Sequence, residues 1–226
     1  MTMIQRLLLQ NVLWVVGLGA LLLLPAGTLR SPAAWAYLAA TAALGLTGGL
    51  WLARVDPGLL EERMRPMMQE GQPAADKTFM LVFGFAALAW FVIIGLDHRW
   101  HGRTLPLALE AAGFLLFLAA CLLMLRVIRE NTFAAPVVKV QAERGHRVID
   151  SGPYAFVRHP MYSGAVLYFI AIALMLGSWW GVVLSPVFLV LFAIRAGLEE
   201  RALTEGLPGY ADYVTRVRYR LVPGVW

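Results

Sequence analysis

Long uncharged apolar runs separated by short charged segments make up most of this chain. No charge occurs between Arg6 and Arg30, within 31–53 or within 78–96, and a fourth run, 104–125, carries only Glu110. An apolar run of about 20 residues lets a single helix cross roughly 30 Å of hydrocarbon. The fifth run, 159–194, is too long for one ordinary crossing and contains Gly177-Ser178-Trp179-Trp180-Gly181, where two short helices can turn; the second holds Pro186. The pattern predicts an all-α, polytopic membrane helix bundle of about six transmembrane segments, ending in a short C-terminal membrane hairpin. Backbone that leaves the helix inside lipid must be covered by protein, so this hairpin is expected to pack tightly against the other helices.

Composition supports the same class: 60% of the 226 residues are hydrophobic and 15% charged, and the mean hydropathy is +0.68. A cleaved signal peptide fits the N-terminus poorly. Arg6 provides a thin basic region, the apolar stretch is long, and the later spans would hold the protein in the membrane in any case. The single cysteine, Cys121, lies in a span, with no second cysteine for a disulfide or a metal site. Basic residues set the orientation. With six spans, one side receives sixteen of the 19 lysines and arginines, and the other receives Arg30, Arg99 and Arg103. Both termini are therefore expected in the cytoplasm, and the expected location is a bacterial inner membrane. The net charge of +5 follows from the same bias. Basic loops beside an anionic leaflet explain it, and no nucleic-acid-binding motif accompanies it.

Two regions follow. Residues 1–125 form a four-helix membrane region with an interfacial linker at 54–77. In that linker Leu59, Leu60, Met64, Met67 and Met68 alternate with charges, which suits either a surface anchor or the entrance for a lipid-like substrate. The outer loop from Asp97 to Arg103 holds His98 and His101, but no well-placed third ligand accompanies them, so an interfacial loop anchored by Trp100 is expected rather than a metal site. Glu110, just inside the outer end of span four, is expected to bond to the bundle or to reach back toward the headgroups. Residues 126–226 carry most of the polar side chains that need explaining: a cytoplasmic loop, a helical hairpin at 160–204 and a cytoplasmic tail.

In this second region Pro160 holds His159 extended and suits the first turn of a helix. That places His159 at the cap of span five, where free N–H groups and the positive dipole end attract an anion, with Arg158 adding to the attraction. Gly152 and Gly164 are positions where a ligand could approach the backbone. Beyond span six, Arg195 and Glu199 are four apart and able to pair, whereas Glu200 has Ala196 and Thr204 at that spacing and is open to something outside its helix. Tyr210 and Tyr213 share a helical face. A capped helix end and an interfacial anchor would account for the same residues without a ligand.

The run Arg158-His159-Pro160-Met161-Tyr162-Ser163-Gly164, the pair Glu199-Glu200, and the tail from Gly209 through Tyr213 to Arg220 and Pro223 resemble the isoprenylcysteine carboxyl methyltransferase family and its phospholipid methyltransferase relatives. The resemblance covers about residues 126–223. It implies an integral membrane methyltransferase that uses S-adenosylmethionine, bound at a cytoplasmic site. It implies that Tyr154, Arg158, His159, Pro160, Tyr162, Gly164, Glu199 and Glu200 bind the cofactor, and that Arg220 and Glu200 are catalytic. The partners implied are the bilayer and a hydrophobic or small-molecule methyl acceptor, which can be a carboxylate, a thiol or an amine; the oligomeric state is left open. Two other readings compete: a membrane reductase using NADPH on a lipid-like substrate, and a non-catalytic scaffold.

Overall fold

The structure, a computed structural model, describes residues 1–69, 71–102 and 105–226. Arg103 and Thr104, assigned from sequence to the outer loop and to the start of the fourth run, lie outside the described residues. Among the described residues all regular structure is helical.

Helix α1 (Met3–Ala26) starts at a reciprocal capping box between Thr2 and Gln5, and α2 (Pro32–Val55) starts on a proline. A short α3 (Pro57–Met64) follows, its first turn capped by Asp56, which accepts from the Leu59 N–H at 2.9 Å. Helices α4 (Ala74–His101) and α5 (Leu107–Glu130) complete the first region. Then come a loop, α6 (Pro160–Met175), α7 (Trp179–Leu184), α8 (Pro186–Gly206) and the small α9 (Tyr210–Arg216). By length and composition α1, α2, α4, α5 and the α7–α8 stretch can each cross a membrane, while α6 is a shorter apolar helix of 16 residues. The break expected near Gly177 falls there: Gly177 has φ 69°, and Ser178 caps α7 by accepting from the Gly181 N–H.

Small residues let the helices touch. A Cβ at Gly113 of α5 would collide with the Met175 N atom of α6, and one at Gly164 of α6 would lie 2.8 Å from Met124 Cγ of α5. The two helices therefore run antiparallel with their backbones in close approach, which lipid-facing helices achieve through small side chains rather than through hydrophobic burial. Trp90, Phe91, Phe169, Phe188 and Phe192 form the centre of the bundle, and Phe169 stacks on Phe188 at 3.6 Å. Trp90 donates its indole N–H to the Gly181 carbonyl at 2.9 Å, which satisfies a backbone group freed at the helix start.

At the outer end, Asp97 is buried and accepts from Ser178 Oγ at 2.6 Å, while His101 Nδ1 lies 2.9 Å from its other oxygen. The aspartate thus fastens α4 to the α6–α7 turn. Glu110 is buried, its Oε1 2.8 Å from where a Gly177 Cβ would sit, so it packs into the bundle rather than reaching toward the headgroups.

At the opposite end the 54–77 linker is more than a surface anchor. Leu59 and Leu60 are buried against Leu7 and Leu52, and buried Glu62 pairs with Lys139 at 2.6 Å. Arg63 donates to the Ala134 carbonyl at 2.8 Å, and Thr132 bonds Asp56. These contacts hold the loop that follows α5. Met67 and Met68 stay exposed.

Gly113→Ala should lower the unfolding free energy in detergent micelles by about 1–3 kcal/mol, the usual range for overpacking. Gly84→Ala, where nothing lies within 4 Å of an added Cβ, should leave it unchanged. Equal thermal midpoints for the two variants would show that α5 and α6 have room to spare.

Candidate functional site

Three segments far apart in sequence meet at the end of the bundle where α3 lies: the loop 131–159, the facing ends of α6 and α8, and α9 with the tail beyond it. Backbone stitching defines the junction. The N–H groups of Arg158 and His159 donate to the carbonyls of Tyr219 and Arg220, each at 2.9 Å, and Ser163 Oγ donates to the Leu221 carbonyl at 2.6 Å. The start of α6 thereby fixes the position of the tail.

Side chains bind the same segments electrostatically. Glu200 is buried near the end of α8 and lacks an in-helix partner at four-residue spacing, as its sequence neighbours require. Its partners come from elsewhere: Arg158 Nε donates to Oε1 at 2.7 Å, and Arg220 Nε donates to Oε2 at 2.9 Å. Arg158 also donates to the Val217 and Arg218 carbonyls at 2.9 and 3.0 Å. His159 lies between the two glutamates, with Nε2 3.2 Å from Glu200 Oε1 and Nδ1 3.4 Å from Glu199 Oε2. Only the imidazolium can donate from both nitrogens at once. Burial works against the charge on His159, but its contacts with Glu199 and Glu200 outweigh burial and raise its pKa above the ordinary 6.5. Tyr162 donates its hydroxyl to Glu199, and its ring stacks on His159 at 5.3 Å and on Phe192 at 5.3 Å.

Next to this network lies a cavity of about 820 Å³, including its open mouth, a size suited to a cofactor. Tyr154, Arg158, His159, Tyr162 and Glu199 line it, joined by Tyr210 and Tyr213. Tyr154 accepts from Asn131 Nδ2 at 2.8 Å, and its carbonyl accepts from Tyr213 at 2.8 Å. Burial pushes the Tyr154, Tyr210 and Tyr213 hydroxyls up, so the aromatic wall is neutral.

The remaining residues singled out from sequence stand behind this surface. Pro160 is the first residue of α6, and Gly164 faces Met124 of α5. Gly152, at φ 56°, faces Glu130. Glu200 and Arg220 are not among the described residues lining the cavity; Arg220 lies 4.9 Å from the Trp226 ring centroid, its side chain one-third exposed. The expected pairing of Arg195 with Glu199 gives way to another. Arg195 bonds the Pro136 carbonyl, lies 3.5 Å from buried Asp76 of α4, and sits over the rings of Phe79 and Tyr162. Asp76 in turn accepts from the Val138 N–H at 3.0 Å and from Gln72 at 2.7 Å. Sequence spacing could not reveal Asp76 as a partner, because the contact joins the first turn of α4 to a helix more than a hundred residues later.

Residues 109–208 match the family model described as phospholipid methyltransferase. Among solved structures the chain is similar to the eukaryotic intramembrane Ras methyltransferase, isoprenylcysteine carboxyl methyltransferase, at 18% identity and a TM-score of 0.63, over 92% of this chain and 74% of that one. That likeness is one of fold. A comparison with curated proteins finds no match. The protein is thus of the class of membrane-embedded methyltransferases that use S-adenosylmethionine. Its link at family level is to the phospholipid methyltransferases, whose matched segment includes every residue from Tyr154 to Glu200 described above, and its fold is shared with isoprenylcysteine carboxyl methyltransferase.

Because the pKa of His159 is raised on folding, its contribution to stability is fully present below about pH 6.5 and is lost as pH rises through the folded value. Thermal unfolding in micelles between pH 5 and 9 should show this fall, and His159→Gln should flatten it. An unchanged profile in the variant would assign the pH dependence to another group.

Proposed function

We propose that the cavity beside Glu199 holds S-adenosylmethionine and that the methyl group passes to a hydrophobic or small acceptor arriving from the membrane face. The observation that carries this reading is the pairing of one carboxylate, Glu199, with a neutral aromatic wall in a cavity whose rim is basic. S-adenosylmethionine, when bound, supplies a methyl group on a sulfonium centre, which an acceptor displaces in line. Glu199 suits the donor's cationic groups, since its held carboxylate favours positive charge nearby. Tyr154, Tyr162, Tyr210 and Tyr213 offer ring faces for the cation and for a flat base. Transfer of this kind needs alignment and exclusion of water more than it needs a catalytic dyad.

Glu200 is then a positioning residue that fixes Arg158, His159 and Arg220 around the site, and Arg220, partly exposed beyond it, approaches the acceptor. Pro160 and Gly164 act through the backbone, setting the start of α6 and its distance from α5. The two regions 1–125 and 126–226 divide the work between scaffold and site.

The same reading takes α6 and the α7–α8 stretch as a hairpin, giving six crossings. At 1.5 Å per residue the 16 residues of α6 extend only about 24 Å, so it would cross where the bilayer thins or protein covers its ends. Arg6 reaches Glu61 of α3 at 3.8 Å, α3 holds the loop after α5, and the tail is stitched to α6. The N-terminus, the site and the C-terminus therefore share one end of the bundle, the end that also carries most of the basic residues, which favours a cytoplasmic site with both termini cytoplasmic.

Calorimetry in detergent should detect binding of S-adenosylhomocysteine and none of NADPH, and Glu199→Gln should weaken the former by about 1–3 kcal/mol. Binding of NADPH alone would overturn the reading. Radiolabelled methyl donor offered with lipid amines, thiols and prenylated carboxylates then identifies the acceptor.

A further inference from the structure

His146, in the loop 131–159, lines the same cavity as Glu199 and has no part in the network around Glu200. Its ring is held on two sides. The Gln141 N–H donates to Nδ1 at 3.2 Å, and the ring stacks on Phe133 at 4.5 Å between centroids and 30° between planes. Gln141 is fully buried, and its side chain donates to the Phe133 carbonyl at 2.8 Å, so the residue that fixes Nδ1 also fixes the stacking partner.

This arrangement selects a tautomer. A backbone N–H can bond Nδ1 only through a lone pair, so the proton of the neutral ring must sit on Nε2. Burial lowers the imidazole pKa, with the nearby Glu199 pulling the other way and Arg144 reinforcing the drop. The ring therefore cannot take up a proton through Nε2; it can only donate from it. A half-buried, oriented N–H is thus presented in a cavity that also contains a carboxylate. A zwitterion, with an ammonium and a carboxylate on one carbon, has the complementary pair.

We infer that His146 Nε2–H donates to the carboxylate of the methyl donor's amino-acid end, opposite the ammonium that Glu199 takes. The inference rests on the cofactor assignment above and adds to it the orientation of the donor in the cavity. A fixed donor to a charged acceptor forms one of the stronger hydrogen bonds and loses little freedom on binding.

The test uses the full chain in detergent micelles and two ligands: S-adenosylhomocysteine, and 5′-methylthioadenosine, which lacks the amino-acid end. Asparagine at this position can keep the bond to the Gln141 N–H but does not reach the Nε2 position; glutamine reaches it; phenylalanine keeps the stack alone. His146→Asn and His146→Phe should each weaken S-adenosylhomocysteine about tenfold and leave 5′-methylthioadenosine unchanged, while His146→Gln retains most of the affinity. Equal loss for both ligands would make His146 a structural support of the loop, and no loss in His146→Asn would remove it from the site; either overturns the inference. Wild-type protein that binds neither ligand would overturn the cofactor assignment itself, and this inference with it.

Discussion

One buried carboxylate, Glu200, faces three cationic groups, and no member of this cluster can be left unpaired without a large cost. In low dielectric an unpaired charge is penalised by several kcal/mol, and breaking a buried pair by removing one partner typically costs about 3–5 kcal/mol. Arg158 comes from the loop, His159 from the start of α6, Arg220 from the tail and Glu200 from α8. Satisfying one carboxylate therefore requires four chain segments to converge at the membrane surface. The backbone pairing of 158–159 with 219–220 is the geometric counterpart of that electrostatic requirement.

The consequence for the site is a division between adjacent glutamates. Glu200 is fully engaged in holding the assembly, which leaves Glu199, one residue away and turned by about 100° on the helix, to face the cavity with its charge intact. His159 touches both, so the structural and the ligand-facing carboxylates share one proton-bearing ring. Tyr162 extends the link to Phe192 in the core and to Arg195, and Arg195 reaches Asp76 of α4. The aromatic centre of the bundle and the cavity at its end are in this way one continuous packed unit.

A second clamp operates from the first half of the chain. Glu62 with Lys139, Arg63 with the Ala134 carbonyl and Asp76 with the Val138 N–H hold a loop that has little regular structure of its own. That loop supplies Tyr154 and His146 to the cavity. The interfacial linker, which from its composition could have been a simple anchor, is thus a structural wall of the site, and the first region contributes to function without lending it a reactive group.

The amino-acid sequence by itself determined the helices and the class of protein. Uncharged runs in a chain with little polar content have few alternatives to spanning helices, and Pro160, Gly177 and Ser178 mark the ends of α6 and the start of α7 by local backbone chemistry alone. It also singled out Glu200 as a carboxylate lacking an in-helix partner, and the short runs around His159 and Glu199 carried the family resemblance. Only the tertiary structure decided which residues act on one another. The partners of Glu200, the turn of Arg195 away from Glu199 toward Asp76, the burial of Glu62 and the fixed ring of His146 all depend on contacts between segments far apart in sequence. Spacing along one helix predicts neighbours at three and four residues and nothing beyond. Charged side chains in a buried setting then choose the partners that leave no charge uncompensated, wherever in the chain those partners lie.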